Sequence, residues 1–164
     1  MRVIKDARIM EDDWQLVKPA EEGKEITVPE GRVIVPYQYW KANRQAMLDR
    51  GTAFGVCIAG DDPIEEVAED LKHFAIIALD FPAFKDGRNY SHARLLRDRY
   101  KYTGELRAVG DILRDQLFYL HRCGIDSFCV REDKDIEDAL KGLMDFSVTY
   151  QTAADGAVPV YKNR

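Results

Sequence analysis

Cysteine is scarce in this sequence: the 164 residues include 3 cysteines and no CxxC pair. An odd number of separated cysteines disfavours both a disulfide scaffold and a cysteine-ligated zinc or iron–sulfur centre, and it suits a reducing cytosol. The longest clearly apolar run, residues 74–79, is too short to span a bilayer, and the N-terminus lacks the apolar stretch of a signal peptide. The sequence therefore predicts a cytoplasmic protein without membrane association.

Motifs for common cofactors and metals are also missing. There is no GxGxxG for a nicotinamide or flavin cofactor, no GxxxxGK[ST] for a nucleotide and no HExxH for zinc. The formal net charge of −5 argues against a general binder of nucleic-acid backbones, which would need a basic surface. The sequence thus predicts no evident cofactor, no metal site and no nucleic-acid partner.

The composition indicates one globular domain over residues 1–164, because 46% of the residues are hydrophobic and 32% are charged. Residues 1–30 read as a preamble with short strands at 14–17 and 26–28. Residues 31–147 contain the regular part of the fold. Residues 148–164 form a polar tail, interrupted by Gly and Pro, that we expect on the surface or disordered.

The regular part alternates apolar strand-like runs with amphipathic helical segments. The predicted strands are residues 33–35, 54–58, 75–79, 106–109 and 127–130, and the predicted helices are 37–50, 62–73, 90–100, 111–122 and 135–146. Five consecutive βα units with short connections indicate an α/β fold with a parallel sheet. The sheet is either open or partly curled like a partial barrel, since five units cannot close an eight-stranded barrel. The N-terminal strands or a second subunit of a homo-oligomer would cover it.

The first candidate site is the loop after the third strand, which contains Lys85, Asp86, Gly87, Arg88 and Asn89. Strand-to-helix junctions line the crevice of parallel α/β sheets. Glycine allows a positive φ and a close backbone approach, arginine can hold an oxyanion at two points, and a helix N-terminus adds free N–H groups. The alternative is a polar turn in which Asn89 caps the helix and Arg88 pairs with a carboxylate.

The second candidate site follows the fourth strand, where Gly110 and Asp111 precede Arg114. Arg114 could join Arg88 around one anion, or it could simply pair with acidic side chains on its own helix. Asp80 ends the third strand and Arg131 follows the fifth, so both belong to the same predicted edge. Carboxylates there could act as general bases or as magnesium ligands, but no metal-binding spacing supports a metal, which favours a purely structural role. No complete catalytic set is identified.

The segment of residues 84–128 includes FKDGRNYSHARLLRDRY, ELRAVGDILRDQLFYL and CGIDSF in succession. It resembles a bacterial family of unknown function whose genes typically lie beside assimilatory sulfite reductase and which is often labelled an oxidoreductase involved in sulfite reduction. The resemblance extends over residues 30–150. It implies sulfur assimilation as the setting, with sulfite reductase or its electron donor as partner and a small oxyanion such as sulfite as ligand.

Three hypotheses follow from the residues and the resemblance together. The first is an accessory protein of assimilatory sulfite reduction that binds an oxyanion or supports the reductase. The second is a non-catalytic interaction module that docks on the reductase or on its electron donor. The third is an oxidoreductase with an unconventional site.

Overall fold

The computed structural model describes residues 1–19 and 25–162, and within these ranges it contains eight β-strands and six α-helices. The strands are β1 (Arg2–Lys5), β2 (Arg8–Glu11), β3 (Gln15–Leu16), β4 (Val33–Pro36), β5 (Phe54–Ile58), β6 (Ile76–Phe81), β7 (Glu105–Gly110) and β8 (Ser127–Phe128). The helices are α1 (Tyr37–Ala42), α2 (Arg44–Leu48), α3 (Ile64–Glu69), α4 (Arg88–Asp98), α5 (Leu117–Arg122) and α6 (Ile136–Lys141). None of these helices is long and apolar enough to cross a membrane.

All eight strands form one mixed sheet in the order β2-β1-β8-β7-β6-β5-β4-β3, which curls into a half-barrel. Strands β3 to β8 are parallel and adjacent in sequence order, whereas β1 pairs antiparallel with both β2 and β8. The predicted α/β fold with a curled sheet is therefore confirmed. The prediction of a purely parallel sheet is wrong, because the N-terminal hairpin adds two strands to the β8 edge.

The N-terminal hairpin joins β1 to β2 through Asp6 and Ala7, which both have positive φ (50° and 54°). Two successive residues with positive φ make a type I′ turn, whose twist fits the twist of a β-hairpin. Asp-Ala is not one of the dipeptides typical of such a turn, so the sequence does not predict it. Of the two strands predicted in the preamble, the first is confirmed by β3, and residues 26–28 lie outside any strand.

The sheet has one face toward the helices and one concave face. Residues of alternate positions along the strands, such as Val33, Val35, Val56 and Ile58, pack with the helices in the main core. The intervening positions point to the concave face, where a smaller apolar cluster forms from Ile34, Ile76, Ala78, Val109, Trp14, Leu16, Cys57 and Cys129. Strands that follow one another in sequence order with right-handed crossovers keep their helices on the same face. The concave face therefore needs another cover.

Residues 12–17, which we call the crossing segment, provide that cover. β2 and β3 are the two outermost strands of the sheet, yet only three residues separate Glu11 from Gln15. Four peptide units reach about 14 Å, whereas the outer strands of a flat eight-stranded sheet lie about 34 Å apart. The sheet must therefore curl until its edges approach each other. Trp14 and Leu16 of the crossing segment then pack on the concave face.

A buried network of charged side chains joins the crossing segment to the middle of the sheet. Arg107 of β7 is 1% exposed, and its guanidinium donates to Asp12 and to Glu105, with Nη2 lying 2.6 Å from Glu105 Oε1. Lys5 of β1 also donates to Glu105, at 2.6 Å. The hydrogen bonds from Lys5 and Arg107 lower the pKa of Glu105 despite its burial. The positive charges of Lys5 and Arg107 balance the negative charges of Asp12 and Glu105. Buried charges are tolerated in a folded protein when they are paired in this way.

We expect Asp12→Ala to lower the free energy of unfolding by about 3 kcal/mol, because it removes one carboxylate from a buried ion pair with Arg107. Urea unfolding followed by circular dichroism would measure the change. Asp13→Ala is the matched control: Asp13 is the next residue, its side chain is 71% exposed, and it pairs with the exposed Arg32. The control should change stability by less than about 1 kcal/mol. Equal losses in the two variants would contradict the assigned role of Asp12.

Candidate functional site

A concavity of about 590 Å³ lies at the carboxyl ends of the parallel strands. We call it the carboxyl-edge cavity. Its lining comes from the ends of β3 to β7 and the turns that follow them: Leu16, Val17, Lys18, Pro19, Ile26, Pro36, Tyr37, Gln38, Tyr39, Cys57, Ala59, Asp61, Asp62, Asp80, Val109 and Gly110. The volume is within the usual range of small-molecule sites.

The floor of the cavity is formed by Cys57, Asp80 and Val109, one residue from each of three neighbouring strands. Cys57 and Val109 belong to the apolar cluster of the concave face. Asp80 follows Ile76 and Ala78 at alternate positions of β6, so its carboxylate points to the same face, one layer above them. A charged group thus stands where the strand pattern otherwise places apolar side chains.

The environment of Asp80 disfavours its charged form. Burial raises the pKa of the Asp80 carboxyl, and the nearby carboxylate of Asp86 raises it further. Among the described residues, no side chain donates a hydrogen bond to this carboxylate. Burial also raises the pKa of the Cys57 thiol and moves the pKa of Tyr37 to about 12, so both groups stay protonated near neutral pH.

Hydrogen bonds fix the turns that make one wall of the cavity. Asp62, in the turn after β5, accepts from the backbone N–H of Ala59 at 2.8 Å and from Gln38 Nε2 at 2.7 Å. Gln38 lies in α1, directly after β4. The start of α1 and the turn after β5 are therefore held together, and the Asp62 carboxylate is satisfied by neutral donors.

Asn89, predicted as part of the anion site, has a buried side chain that holds two strand ends together. Its Nδ2 donates to the carbonyl oxygens of Asp80 at 2.7 Å and of Ile58 at 3.2 Å. Its Oδ1 lies 2.8 Å from His92 Nδ1, so that nitrogen must bear the proton. Burial lowers the pKa of His92, which agrees with a neutral ring in this role. Both the nitrogen and the oxygen of the Asn89 side-chain amide are therefore hydrogen-bonded within the protein.

Arg88 is not a lining residue, but it packs against Gly60 beside the cavity, at a position that we call the rim, and it pairs with Asp86 at two points. Its Nε donates to Asp86 Oδ1 at 3.0 Å and its Nη2 to Oδ2 at 2.7 Å. These bonds hold the pKa of Asp86 at about 2. The arginine packs against Gly60, where a Cβ atom would lie 2.6 Å from Nε. Gly60 stands between Ala59 and Asp61, both of which line the cavity.

The neighbouring loop residues differ from expectation. Gly87 was expected to use a positive φ, but its φ is −98°, and a Cβ there would meet Tyr90 at an ordinary 3.6 Å. That expectation is wrong, because the turn that starts α4 needs only ordinary backbone angles. Lys85 is exposed. At the second candidate site, Gly110 does have a positive φ of 99°, and a Cβ would lie 2.5 Å from the Phe81 carbonyl oxygen.

The other two predicted arginines pair with separate groups of carboxylates. Arg114 donates to Asp138 at 3.0 Å and lies 3.4 Å from Asp145. Arg131 contacts Asp111 at 2.6 Å and Asp133 at 2.5 Å. The structure thus brings Asp80 and Gly110 together at the cavity and places Arg88 with Asp86 at its rim. It gives Arg114, Arg131 and Asp111 partners of their own.

Several lining residues were not singled out from the sequence, above all Tyr37, Gln38, Cys57, Asp61 and Asp62. A usable signal was present, since these residues follow two parallel strands whose carboxyl ends share one edge. Within residues 1–19 and 25–162, no three His, Cys, Asp or Glu side chains are grouped so that they could hold a metal ion.

Comparison with known proteins identifies the family. Residues 55–161 match the family model DUF934, described as a bacterial protein of unknown function. Because the match extends over more than half of the chain, the protein belongs to this family, and the resemblance to a bacterial family of unknown function is confirmed. No curated protein and no solved structure matches the chain.

We expect Asn89→Ala to lower the free energy of unfolding by about 2 kcal/mol, because it leaves the carbonyl oxygens of Ile58 and Asp80 without their buried donor. Ser91→Ala, on an exposed position of the same helix, is the control and should change stability by less than about 0.5 kcal/mol. Urea unfolding of both variants would measure the difference. Wild-type stability of Asn89→Ala would show that these hydrogen bonds do not hold the edge together.

Proposed function

We propose that this member of the DUF934 family is an accessory protein of assimilatory sulfite reduction that binds a small ligand at the carboxyl edge of its sheet. The sulfur-assimilation setting comes from the resemblance of residues 84–128 described above. The binding role is supported by one observation, the cavity of about 590 Å³ at the ends of β3 to β7. Carboxyl ends of parallel strands are where α/β proteins bind their ligands.

For an oxyanion ligand we propose Arg88 as the binding side chain. Arg114 and Arg131 each have carboxylate partners on more than one residue, whereas Arg88 pairs with Asp86 alone among the described residues. Asp86 is two residues away, the Arg88 side chain is 56% exposed, and an ion pair with an exposed member contributes little to stability. An oxyanion such as sulfite could therefore take the place of Asp86 on the two-point fork at little cost.

Growth of a deletion strain tests the proposal. We expect deletion of the gene to impair growth on sulfate as the sole sulfur source and to leave growth on sulfide normal, because the defect would lie before sulfide is formed. Growth curves in the two media measure the difference. Normal growth on sulfate, in a strain without a second copy of the gene, would refute the accessory role.

The same strain tests Arg88 through complementation. Arg88→Lys keeps the charge but loses the planar fork, so we expect it to fold normally and to restore growth on sulfate poorly, as should Arg88→Ala. Arg94→Lys is the matched control, since Arg94 is also on α4 and pairs with Asp98 at 2.6 Å. Complementation by both Arg88 variants at the wild-type level would show that Arg88 is only a turn residue.

The exposed apolar side chains of residues 144–162 favour a second candidate function, a non-catalytic module that docks on sulfite reductase or its electron donor. Phe146, Val148 and Tyr150 are 64%, 67% and 74% exposed. The segment is nevertheless held to the domain, because Asp155 accepts two hydrogen bonds from the buried Arg122, at 2.9 and 3.0 Å. Apolar side chains held in exposed positions are typical of protein-binding surfaces.

A binding assay with purified sulfite reductase tests this second candidate. We expect the full chain, immobilised, to retain the reductase, and Tyr150→Ser to weaken retention at least about tenfold, as for an aromatic residue at the centre of an interface. Phe84→Ser is the control, because Phe84 is similarly exposed but lies outside residues 144–162. Equal retention by both variants, or no retention by the wild type, would contradict docking through this segment.

A further inference from the structure

We propose that the carboxyl-edge cavity binds a small organic ligand that has an apolar body and presents a protonated amine to Asp80. This inference rests on the proposed function in one respect, the position of the ligand site. It adds the chemical class of the ligand, and it assigns the amine to the interior of the cavity and not to Arg88 at the rim.

The charges that line the cavity favour a cation. Three of the lining residues are the carboxylates Asp61, Asp62 and Asp80, and the described lining includes one cation, Lys18. A small free anion inside the cavity would meet an excess of negative charge in surroundings where charges are poorly screened. Sulfite is therefore disfavoured in the interior, even where the rim offers it Arg88.

Asp80 differs from the other two carboxylates in its lack of partners. Asp62 already accepts hydrogen bonds from Gln38 and from the Ala59 backbone, and Asp61 is exposed to solvent. Asp80 is half-buried, and no donor among the described residues reaches its carboxylate. A carboxylate withdrawn from water without a donor is unfavourable, and a ligand ammonium group would relieve that cost with charge-assisted hydrogen bonds.

The groups beside Asp80 cannot take over this role. Cys57 and Tyr37 keep their protons near neutral pH because burial raises the pKa of each, so neither adds a charge. Val109 completes the floor with an apolar surface. Asp80 is thus the single charged group of the floor, and a ligand ammonium would have one defined position.

The remaining walls favour an apolar body on the ligand. Leu16 and Val17 of the crossing segment, Pro36 of β4, and Ile26, which lies between these two elements in sequence, contribute apolar side chains to the lining. A cavity of about 590 Å³ has room for a ring and a short chain. Apolar contact would supply affinity that an exposed ion pair alone does not, since removal of apolar area from water contributes about 25 cal/mol per Å².

Three probes that share one body and differ in the head group test the inference: 3-phenylpropylamine, 3-phenylpropanol and 3-phenylpropionate. Each would be titrated into the full chain, uniformly labelled with nitrogen-15, and followed by amide chemical shifts near Cys57, Val109 and Gly110. We expect the amine to bind at least about tenfold more tightly than the alcohol, the gain of a charge-assisted hydrogen bond, and the carboxylate to bind most weakly.

Two variants separate the role of Asp80 from the general negative charge of the cavity. Asp80→Asn should reduce amine affinity to about that of the alcohol while alcohol binding stays unchanged, which also shows that the cavity remains intact. Asp61→Asn removes the same charge from an exposed lining position and should change amine affinity no more than about twofold. Equal effects of the two variants, stronger binding of the carboxylate, or no binding of the amine would overturn the inference.

The outcome is independent of the test of the proposed function. If the amine does not bind but the deletion strain still fails on sulfate, the ligand class is wrong and the accessory role stands. If the amine binds through Asp80 but the deletion strain grows normally on sulfate, the cavity assignment stands and the role in sulfite reduction is wrong.

Discussion

The contact between Asp12 and Arg107 connects the crossing segment to the centre of the sheet, and most of the architecture depends on it. A sheet whose parallel strands follow in sequence order has its helices on one side and needs another cover for its concave face. Residues 12–17 are short, so they can reach across only if the sheet curls strongly. The same segment then contributes Leu16 and Val17 to the wall of the cavity. Residues 12–17 therefore contribute both to the cover of the concave face and to the wall of the candidate site.

The alternation of inward and outward side chains determines the register of that stretch. Asp12, Trp14 and Leu16 alternate along an extended chain, so all three face inward while Asp13 and Gln15 face solvent. A slip of one residue would exchange the two sets and turn Trp14 and Leu16 away from the concave face, whereas Glu11 or Asp13 would then replace the Asp12 carboxylate beside Arg107. Arg107 Nη1 has no partner among the described residues, which shows that the network is not saturated. Trp14 and Leu16 therefore select the register, while the buried guanidinium of Arg107 requires a carboxylate at the facing position, because an unpaired buried charge is costly.

Much of the fold could be predicted from the sequence, and the reasons for the failures are physical. Apolar runs such as residues 54–58 and 76–79 are buried on both faces, so the strands β5 and β6 were evident. The hairpin was missed because Asp6 and Ala7 adopt positive φ without a glycine. The choice between an open sheet and a partial barrel depends on strand order, which periodicity does not report. Site residues were harder still: the sequence places Arg131 and Asp111 at strand ends, but only the folded sheet brings residues 20 positions apart into one ion pair.

The carboxyl edge of the sheet therefore contains two kinds of charged group: one that has an ion-pair partner and one that has none among the described residues. At the rim, the exposed Arg88 is paired with Asp86, and exchange of this partner for a ligand would change the free energy little. On the floor, Asp80 is half-buried and has no such partner among the described residues, so a donor that reaches its carboxylate would offset the cost of its partial desolvation. Burial is what separates the two cases. A ligand that contacts only Arg88 at the rim would bind weakly and exchange fast. A ligand that also reaches Asp80 would bind more tightly, because the fold has already removed part of the water around that carboxylate. The affinity of a ligand would therefore depend on how deeply it enters the cavity.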